Sequence, residues 1–589
     1  MKRKNRSVRA RLLPCLLALC LLTGGCSLQQ SIVSGQILSE DESYEKASAV
    51  EFEVEDAQDL YLDEAADEVS VLYLAVAPGN EADGTDHSWT EMHSVPLSEQ
   101  GDQPYQCEGV FQLGDEYAPT EGSFGYGQLT ANCTVRLQGT NASTRQQKSY
   151  RISIKDGLGS LNGMKTLVLS KSFSDPLRIT NMLCYRLMEG IPGLLSSRTR
   201  LVRLYVKDTG EGEDALYRDY GLYTMVEPIN KTYFKNRHLD NDGAIYKANN
   251  FDFARHGDEI VLATSPDYRQ ERFEALLEIK GDVDHSRLIE MLEAVNNPDM
   301  PIQEVIATYF DEHNLYNWLA FNLLTANRDA STSNYYLYSP TGSRRFYFIS
   351  WDNDGAFRDA YEELRAPGQS PAWDIGVFSF YDNVLFSRIF QDPHCISELS
   401  TAVDVLYENH LTQERVSAEA ERLTALAEEQ VYSLPDRTFA RVTQAQYREL
   451  AAQLGQQVTE NYYRYYESLE KPAPFHIHAP QLPSDGKLLL SWDEAECDRE
   501  VLYSVQLDDS WDFETPLFTD DGRADARCEI DGLPVGQYFL RVTANTADGQ
   551  SQIAYETYST ELKTTLYGVL CFYVLQDGSV HASYFDGGD

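Results

Sequence analysis

The chain has 589 residues, enough for roughly three or four domains with sizeable apolar cores. Its 49 Lys and Arg stand against 92 Asp and Glu, a formal charge of -43. A field of that sign repels nucleic-acid phosphates and anionic headgroups, which excludes nucleic acid as a partner, and a nucleotide site would need local cations or a divalent metal.

The N-terminus, MKRKNRSVRARLLPCLLALCLLTGGCSLQQ, has a basic start, an apolar run from Leu12 to Leu22, then small residues and a cysteine. The apolar run is too short to span a bilayer, so it reads as an export signal. Its TGGC ending resembles a bacterial lipoprotein signal, in which Cys26 would carry lipid and become the mature N-terminus; Thr23 stands where such signals usually have Leu. Residues 1–26 are thus the expected signal peptide, and 27–67, rich in Ser, Glu and Asp, an acidic flexible tether. Of the ten cysteines, Cys107, Cys133, Cys184, Cys395, Cys497, Cys528 and Cys571 remain beyond Cys26, and none forms a C-x-x-C pair. That spacing gives little support to structural zinc or thioredoxin-like chemistry. Cys107 with Cys133, or Cys497 with Cys528, are possible disulfide pairs outside the cytoplasm, which spacing does not decide.

From 69 to 154 the pattern alternates as strands do, in VSVLYLAVA, SFGYGQLTANCTVRLQG and KSYRISIKD. SDPLRITNMLCYRL changes to helical period, with Asp175 as N-cap and Pro176 at the first helical position. RTRLVRLYVKD and YGLYTMVEPIN return to strands, and IQEVIATYFDEHNLYNWLAFNLLTA reads as one long apolar helix ending just before NRDASTSN. YYLYSPTGSRRFYFISWD reads as a hairpin, and 386–469 as helical. After the Pro-punctuated KPAPFHIHAP, residues 478–562 read as a small β-sandwich; Trp492 and GLPVGQYFLRVTA resemble a fibronectin type III domain. Residues 563–589 are read as a C-terminal tail with one further β-like run, YGVLCFYVL.

The chemistry concentrates between 327 and 355. NRDASTSN carries D-x-x-x-x-N, the interval at which a protein-kinase loop places a base for the acceptor hydroxyl and an Asn for metal, here Asp329 and Asn334. The hairpin that follows delivers Asp352 at a strand end, where such an enzyme holds Mg²⁺ on phosphate. Other readings stand beside it: Asp329 and Asn334 as Asx-turn formers, WDNDG as a calcium loop that lacks the EF-hand glutamate, or paired carboxylates for glycoside hydrolysis with no acid fixed in an apolar pocket.

The ordered set GTNASTRQQKSYRISI, SDPLRITNML, GLYTMVEPIN, GAIYKAN, NRDASTSNYYLY and FISWDNDGAF resembles the spore coat protein H (CotH) kinase family over roughly residues 70 to 470. The resemblance implies an α+β, atypical protein-kinase-like domain over 68–472, with a β-rich N-lobe and a helical C-lobe, that uses ATP with Mg²⁺ or Mn²⁺ to phosphorylate protein Ser or Thr. It implies Asp329 as catalytic base, Asn334 on the metal side, Asp352 as principal metal ligand and Lys148 on the nucleotide phosphates. Arg145 would assist Lys148; Glu227 and Lys247 are further nucleotide-side candidates, and Asp354 is either a supporting metal residue or a turn former beside Gly355. Gln138 stands where the family usually has an arginine. The expected whole is a lipid-anchored kinase on the outer face of a bacterial membrane, with cell-surface or coat proteins as partners and a C-terminal sandwich for partner binding or spacing. Because ATP is scarce outside a cell, the alternative is a non-catalytic adhesion or scaffold protein built on the same domain.

Overall fold

The computed structural model describes residues 54–583 apart from 63–67, 102, 213, 359–374, 483–485 and 561–563, so the expected signal, Cys26 and most of the tether lie outside the described residues. Seven strands close a barrel in the order β1-β2-β3-β4-β5-β7-β6: β1 (Ser70–Ala77), β2 (Gln106–Gly114), β3 (Cys133–Gln138), β4 (Ser149–Ile154), β5 (Thr166–Ser170), β6 (Thr199–Asp208) and β7 (Arg218–Val226). All neighbours are antiparallel except β1 and β6, whose parallel pairing closes the ring. Alternation dictates the lining: Leu72, Leu74 and Val76 of β1, Val135 and Leu137 of β3, Tyr150 and Ile152 of β4 share one buried core. Their neighbours Arg136 and Arg151, opposite each other in register, therefore face outward.

A second sheet, in the order β11-β10-β8-β9, consists of β8 (Ala244–Ala248), β9 (Leu277–Ile279), β10 (Tyr335–Ser339) and β11 (Tyr347–Ser350). It shares one core with the helices α1 (Thr180–Met188), α2 (Glu312–Leu324), α3 (Pro393–Asn409), α4 (Gln413–Val431) and α5 (Gln444–Leu469). Helix α2 is buried on nearly every side, so its polar side chains find internal partners: Asn314 Nδ2 donates to the carbonyls of Gly193 and Phe348 at 2.8 and 3.0 Å. The single long helix expected over 302–326 is two, Ile302–Tyr309 and α2, because Phe310 leaves helical geometry to bridge Phe346 and the Asp311 side chain caps α2 through the Asn314 amide. Helix α1 begins later than expected. Asp175 accepts from Leu177 N and Thr180 N at 2.8 Å each, and Arg178 takes a left-handed φ of 60°, which delays the first regular turn.

The barrel and the helices are joined by one buried ion pair. Asp436, in the turn after α4, enters the barrel mouth, where Lys171 Nζ lies 2.8 Å away, Gln147 Nε2 donates at 2.9 Å and Leu222 N at 2.6 Å. Lys171 also donates to the carbonyls of Tyr220 and Leu222 and sits 4.2 Å from the Tyr223 ring centroid. Both side chains are almost solvent-free, at 1% and 5% exposure, and burial pulls the lysine down to about 8 against the opposing pull of Asp436. Glycine is required at 221: φ is +80°, and a Cβ there would lie 1.9 Å from Asp436 Oδ2.

The described part of the expected tether is docked. Val54 is buried, and Asp56 pairs with Arg237 at 2.9 Å inside a network that includes Glu227 and Tyr61. At the other end, a sheet in the order Phe518–Arg523, Val501–Asp508, Gly536–Thr546, Val569–Val574, Val580–Ser583 shares a core with the pair Lys487–Ser491 and Arg527–Asp531. The run expected in a tail beyond 562 thus lies inside this sheet: Val569–Val574 pairs with Gly536–Thr546 because Leu570 and Phe572 complete the core. Tyr381 Oη donates to Glu496 Oε2 at 2.7 Å, tying the sheet-rich part to the helical part. Cys107, Cys133, Cys497 and Cys528 are all free thiols. No helix among the described residues is long and apolar enough to cross a membrane.

Removing one member of the buried pair strands the other. Asp436→Ala is expected to destabilise the protein by about 3–5 kcal/mol in chemical denaturation, whereas Lys171→Met combined with Asp436→Leu recovers most of that loss. A single-variant loss near zero would show that the pair does not join the two parts.

Candidate active site

The site forms where α1, the loop after α2 and the end of β11 meet. The chain leaves α2 through Ala326, at φ 48°, and makes one tight turn, Arg328–Ser331, that carries Asp329. It enters β10 through Asn334, also left-handed at φ 61°. The β10–β11 hairpin pairs Tyr335 with Ser350, and Trp351 N donates to the Asn334 carbonyl at 2.9 Å, so the residues flanking the hairpin return side by side. Asp352, left-handed at φ 52°, then starts the turn Asn353–Gly355. Asn and Asp are among the residues that tolerate this conformation, which is why the chain can reverse twice here.

Three carboxylates are thereby gathered: Asp329, Asp352 and Asp354. Burial raises the Asp352 pKa; Lys247 pulls it down and Asp329 pushes it up again. Asp354 is raised well above the ordinary carboxylate range, by burial first and then by Asp352, Asp175 and Asp329, while a 3.2 Å bond from Ser174 Oγ to Asp354 Oδ2 opposes the rise. The backbone around them is pinned: Asp352 N donates to Tyr185 Oη at 3.2 Å and Asn353 N to Asn181 Oδ1 at 2.9 Å, both partners on α1. Asp329 faces outward with its side chain 42% exposed, and Arg358 Nη1 stands 3.8 Å from it.

Cations face this turn from the barrel and the second sheet. Lys247 of β8, opposite Tyr336 of β10, is paired with Glu278 at 3.0 Å. Arg136 and Arg151 both feel the Glu278 charge, and Arg151, Glu278 and Asp352 all act on the Tyr336 hydroxyl, which puts these groups near one another. Neither arginine is hydrogen-bonded or ion-paired to a described residue, although burial lowers the pKa of both. An unpaired, partly buried guanidinium fits an anion supplied from outside the chain.

The structure thus brings Asp329, Asp352, Asp354 and Lys247 together, with Asn334 at the hairpin entrance. Lys148 Nζ is instead held by the carbonyls of Ser143 and Arg145, at 2.5 and 3.1 Å, and burial lowers its pKa. Arg145 lies over the Phe173 ring at 5.2 Å, next to the Ser174 that reaches Asp354. Glu227 is bonded to Arg198 and Arg237 in the buried network behind the barrel and takes no part in the cleft. Sequence reading missed Arg136 and Arg151; their outward places in the alternation of β3 and β4 were the available signal. Among the described residues no three His, Cys, Asp or Glu side chains form a ready-made metal site.

The sequence model described as CotH kinase protein matches residues 135–467, more than half of the chain. The chain belongs to the CotH kinase protein family. The match spans β3 to α5 and so contains Arg136, Arg151, Lys247 and the three acids. No curated protein matches the chain. Among solved structures, HipA of the Shewanella oneidensis MR-1 toxin–antitoxin system, determined with HipB and its operator DNA, is 12% identical, with a TM-score of 0.23 over 58% of this chain and 65% of that one. The N-terminal part of the bacterial S-layer protein SbsC is 12% identical, with a TM-score of 0.09 over 48% of this chain and 72% of that one. The described fold of this CotH-family chain is mixed α and β.

Burial and the neighbouring carboxylates raise the Asp354 pKa above its unfolded value, so this group costs stability as pH rises through and above the unfolded carboxylate range. Asp354→Asn is expected to raise the Tm of the metal-free protein at pH 7.5, each kcal/mol of relieved repulsion being worth roughly 2 °C in a large domain. A lower Tm would show that the carboxylate is held by favourable contacts.

Proposed function

We propose that this CotH-family protein is an exported, lipid-anchored kinase that transfers the γ-phosphate of ATP to Ser or Thr hydroxyls of a protein. The observation that carries the reading is the meeting of opposite charges: Asp329, Asp352 and Asp354 lie together with Lys247 acting on Asp352, and Arg136 and Arg151, without a hydrogen-bond or ion-pair partner among the described residues, lie near the Glu278 that Lys247 pairs with. This donor set fits a magnesium or manganese nucleotide. Mg²⁺ is held by one or two carboxylates together with phosphate oxygens, which suits a site with crowded acids. Bound there, the metal and nucleotide supply a transferable phosphoryl group whose negative charge is neutralised.

The residues do the rest by position. Arg136, Arg151 and Lys247 bind and orient the phosphate chain against the barrel wall. Asp352 holds the metal with Asp354 beside it, and Asn334 supports the metal side from the hairpin entrance. Asp329, exposed at the mouth, takes the proton from the attacking hydroxyl. Lys148 and Arg145 order the loop between β3 and β4 beside this space. The two-lobed kinase arrangement, with the barrel as N-lobe and the helices as C-lobe, is part of this reading. So are the anchor at Cys26, the outer membrane face as location, a surface or coat protein as substrate, and a fibronectin type III-like role in partner binding for the C-terminal sheets.

Residues 27–589 are to be incubated with γ-labelled ATP, Mg²⁺ or Mn²⁺ and a generic acceptor protein. Wild type is expected to transfer label, Asp352→Ala to transfer none, Asp329→Asn to lose about 10²–10⁴-fold in kcat, and Arg151→Met chiefly to raise the KM for ATP. Equal transfer by wild type and Asp352→Ala would contradict the assignment. Nucleotide binding without transfer under either metal would favour the scaffold reading.

A further inference from the structure

Asp329 and the Asp352–Asp354 turn come from segments separated by a whole hairpin, yet the proposed chemistry needs their carboxylates in fixed relation. The contact between them runs through a residue with no side chain. A Cβ built on Gly355 would lie 2.5 Å from Asp329 Oδ2 and 2.8 Å from its Cγ, closer than real Cβ contacts come. The same point lies 3.3 Å from Asn327 Oδ1. Gly355 is not among the positive-φ residues, so its backbone accepts any L side chain and only the Asp329 side requires glycine.

Beneath this contact the two segments are joined by buried amides. Asn327 Nδ2 donates to Asn322 Oδ1 at 3.0 Å and to Asn353 Oδ1 at 3.3 Å, linking the end of α2, the Asp329 turn and the Asp352 turn. All three asparagines are fully buried. Asn327 Oδ1 and Asn353 Nδ2 have no hydrogen-bond partner, a cost that a purely packing role would have removed by apolar substitution. Phe357 N donates to the Thr325 carbonyl at 2.7 Å, fixing the far side of the Gly355 turn to the same helix end.

We propose that Gly355 is a positioning residue for phosphoryl transfer: its bare Cα is the wall against which the Asp329 carboxylate is set, and Asn327 with Asn353 fixes that wall to the base. This deepens the kinase reading and rests on it. An added methyl group must push the Asp329 carboxylate aside while leaving the metal turn and the cationic wall in place, and a displacement near 1 Å at a reacting group can cost about 10²-fold in rate.

The test is a double-mutant cycle in the labelled-ATP assay with full-length chains carrying Gly355→Ala, Asp329→Ala, or both. Gly355→Ala is expected to lose about 10²-fold in kcat, with KM for ATP and the thermal shift produced by an ATP analogue with Mn²⁺ unchanged. In the Asp329→Ala background it is expected to have no further effect, because the group it displaces is gone. Wild-type kcat in Gly355→Ala, a full additional loss in the double variant, or loss of the analogue-dependent thermal shift would each overturn the proposal while leaving the kinase reading intact. A wild type that transfers no label would overturn the kinase reading and this proposal with it.

Discussion

Three carboxylates are gathered at one turn, burial disfavours charge on two of them, Asp352 and Asp354, and the chain has used its conformational resources to put them there. Left-handed turns at Asn334 and Asp352 aim the hairpin ends at each other. Tyr185 and Asn181 of α1 hold the second turn by its backbone amides, and Ser174 bonds one carboxylate oxygen of Asp354. Such a group of acids is stable only if something positive can come near it. On the chain itself Arg358 stands 3.8 Å from Asp329 and Lys247, already paired with Glu278, acts on Asp352, while Arg136 and Arg151 near Glu278 have no hydrogen-bond or ion-pair partner among the described residues. The local balance therefore asks for a ligand that carries both signs, an anion for the arginines and a cation for the acids.

Holding the two walls at a set distance falls to interactions outside the cleft. The Lys171–Asp436 pair fastens the helices to the barrel mouth, and the Arg237–Asp56–Glu227 network fastens the start of the described chain behind it. Buried pairs of this kind are poor sources of net stability, since desolvation offsets most of the Coulombic gain. Their value lies in geometry: Asp436 is gripped by three donors from three barrel segments, and no shifted packing satisfies them all.

Much of this was legible in the sequence because it is local. The interval from Asp329 to Asn334, the hairpin and the acids after it lie within one continuous stretch, and strand alternation marked β1, β3 and β4. What pairing brings together across long sequence distances was not legible. Arg136 and Arg151 are ordinary outward strand residues until the barrel closes and the second sheet faces them. Lys171 and Asp436 look like surface charges in the sequence and become buried only through the meeting of barrel and helices. The break between Tyr309 and Glu312 was hidden because both flanking segments have strong helical period, and the bridge from Phe310 to Phe346 overrides it. The strand Val569–Val574 looked peripheral after a polar stretch, and only its pairing with Gly536–Thr546 makes it central.

The central claim is that the acid turn and the cationic wall are two halves of one metal–nucleotide site. Titrating Mn²⁺ into the protein by electron paramagnetic resonance, with and without a non-hydrolysable ATP analogue, addresses it directly. Weak Mn²⁺ binding alone, tightened at least about tenfold by the analogue and abolished by Asp352→Ala, is the expected result, because carboxylates and phosphate oxygens must complete the coordination together. Mn²⁺ affinity that is the same with and without the analogue would contradict the account.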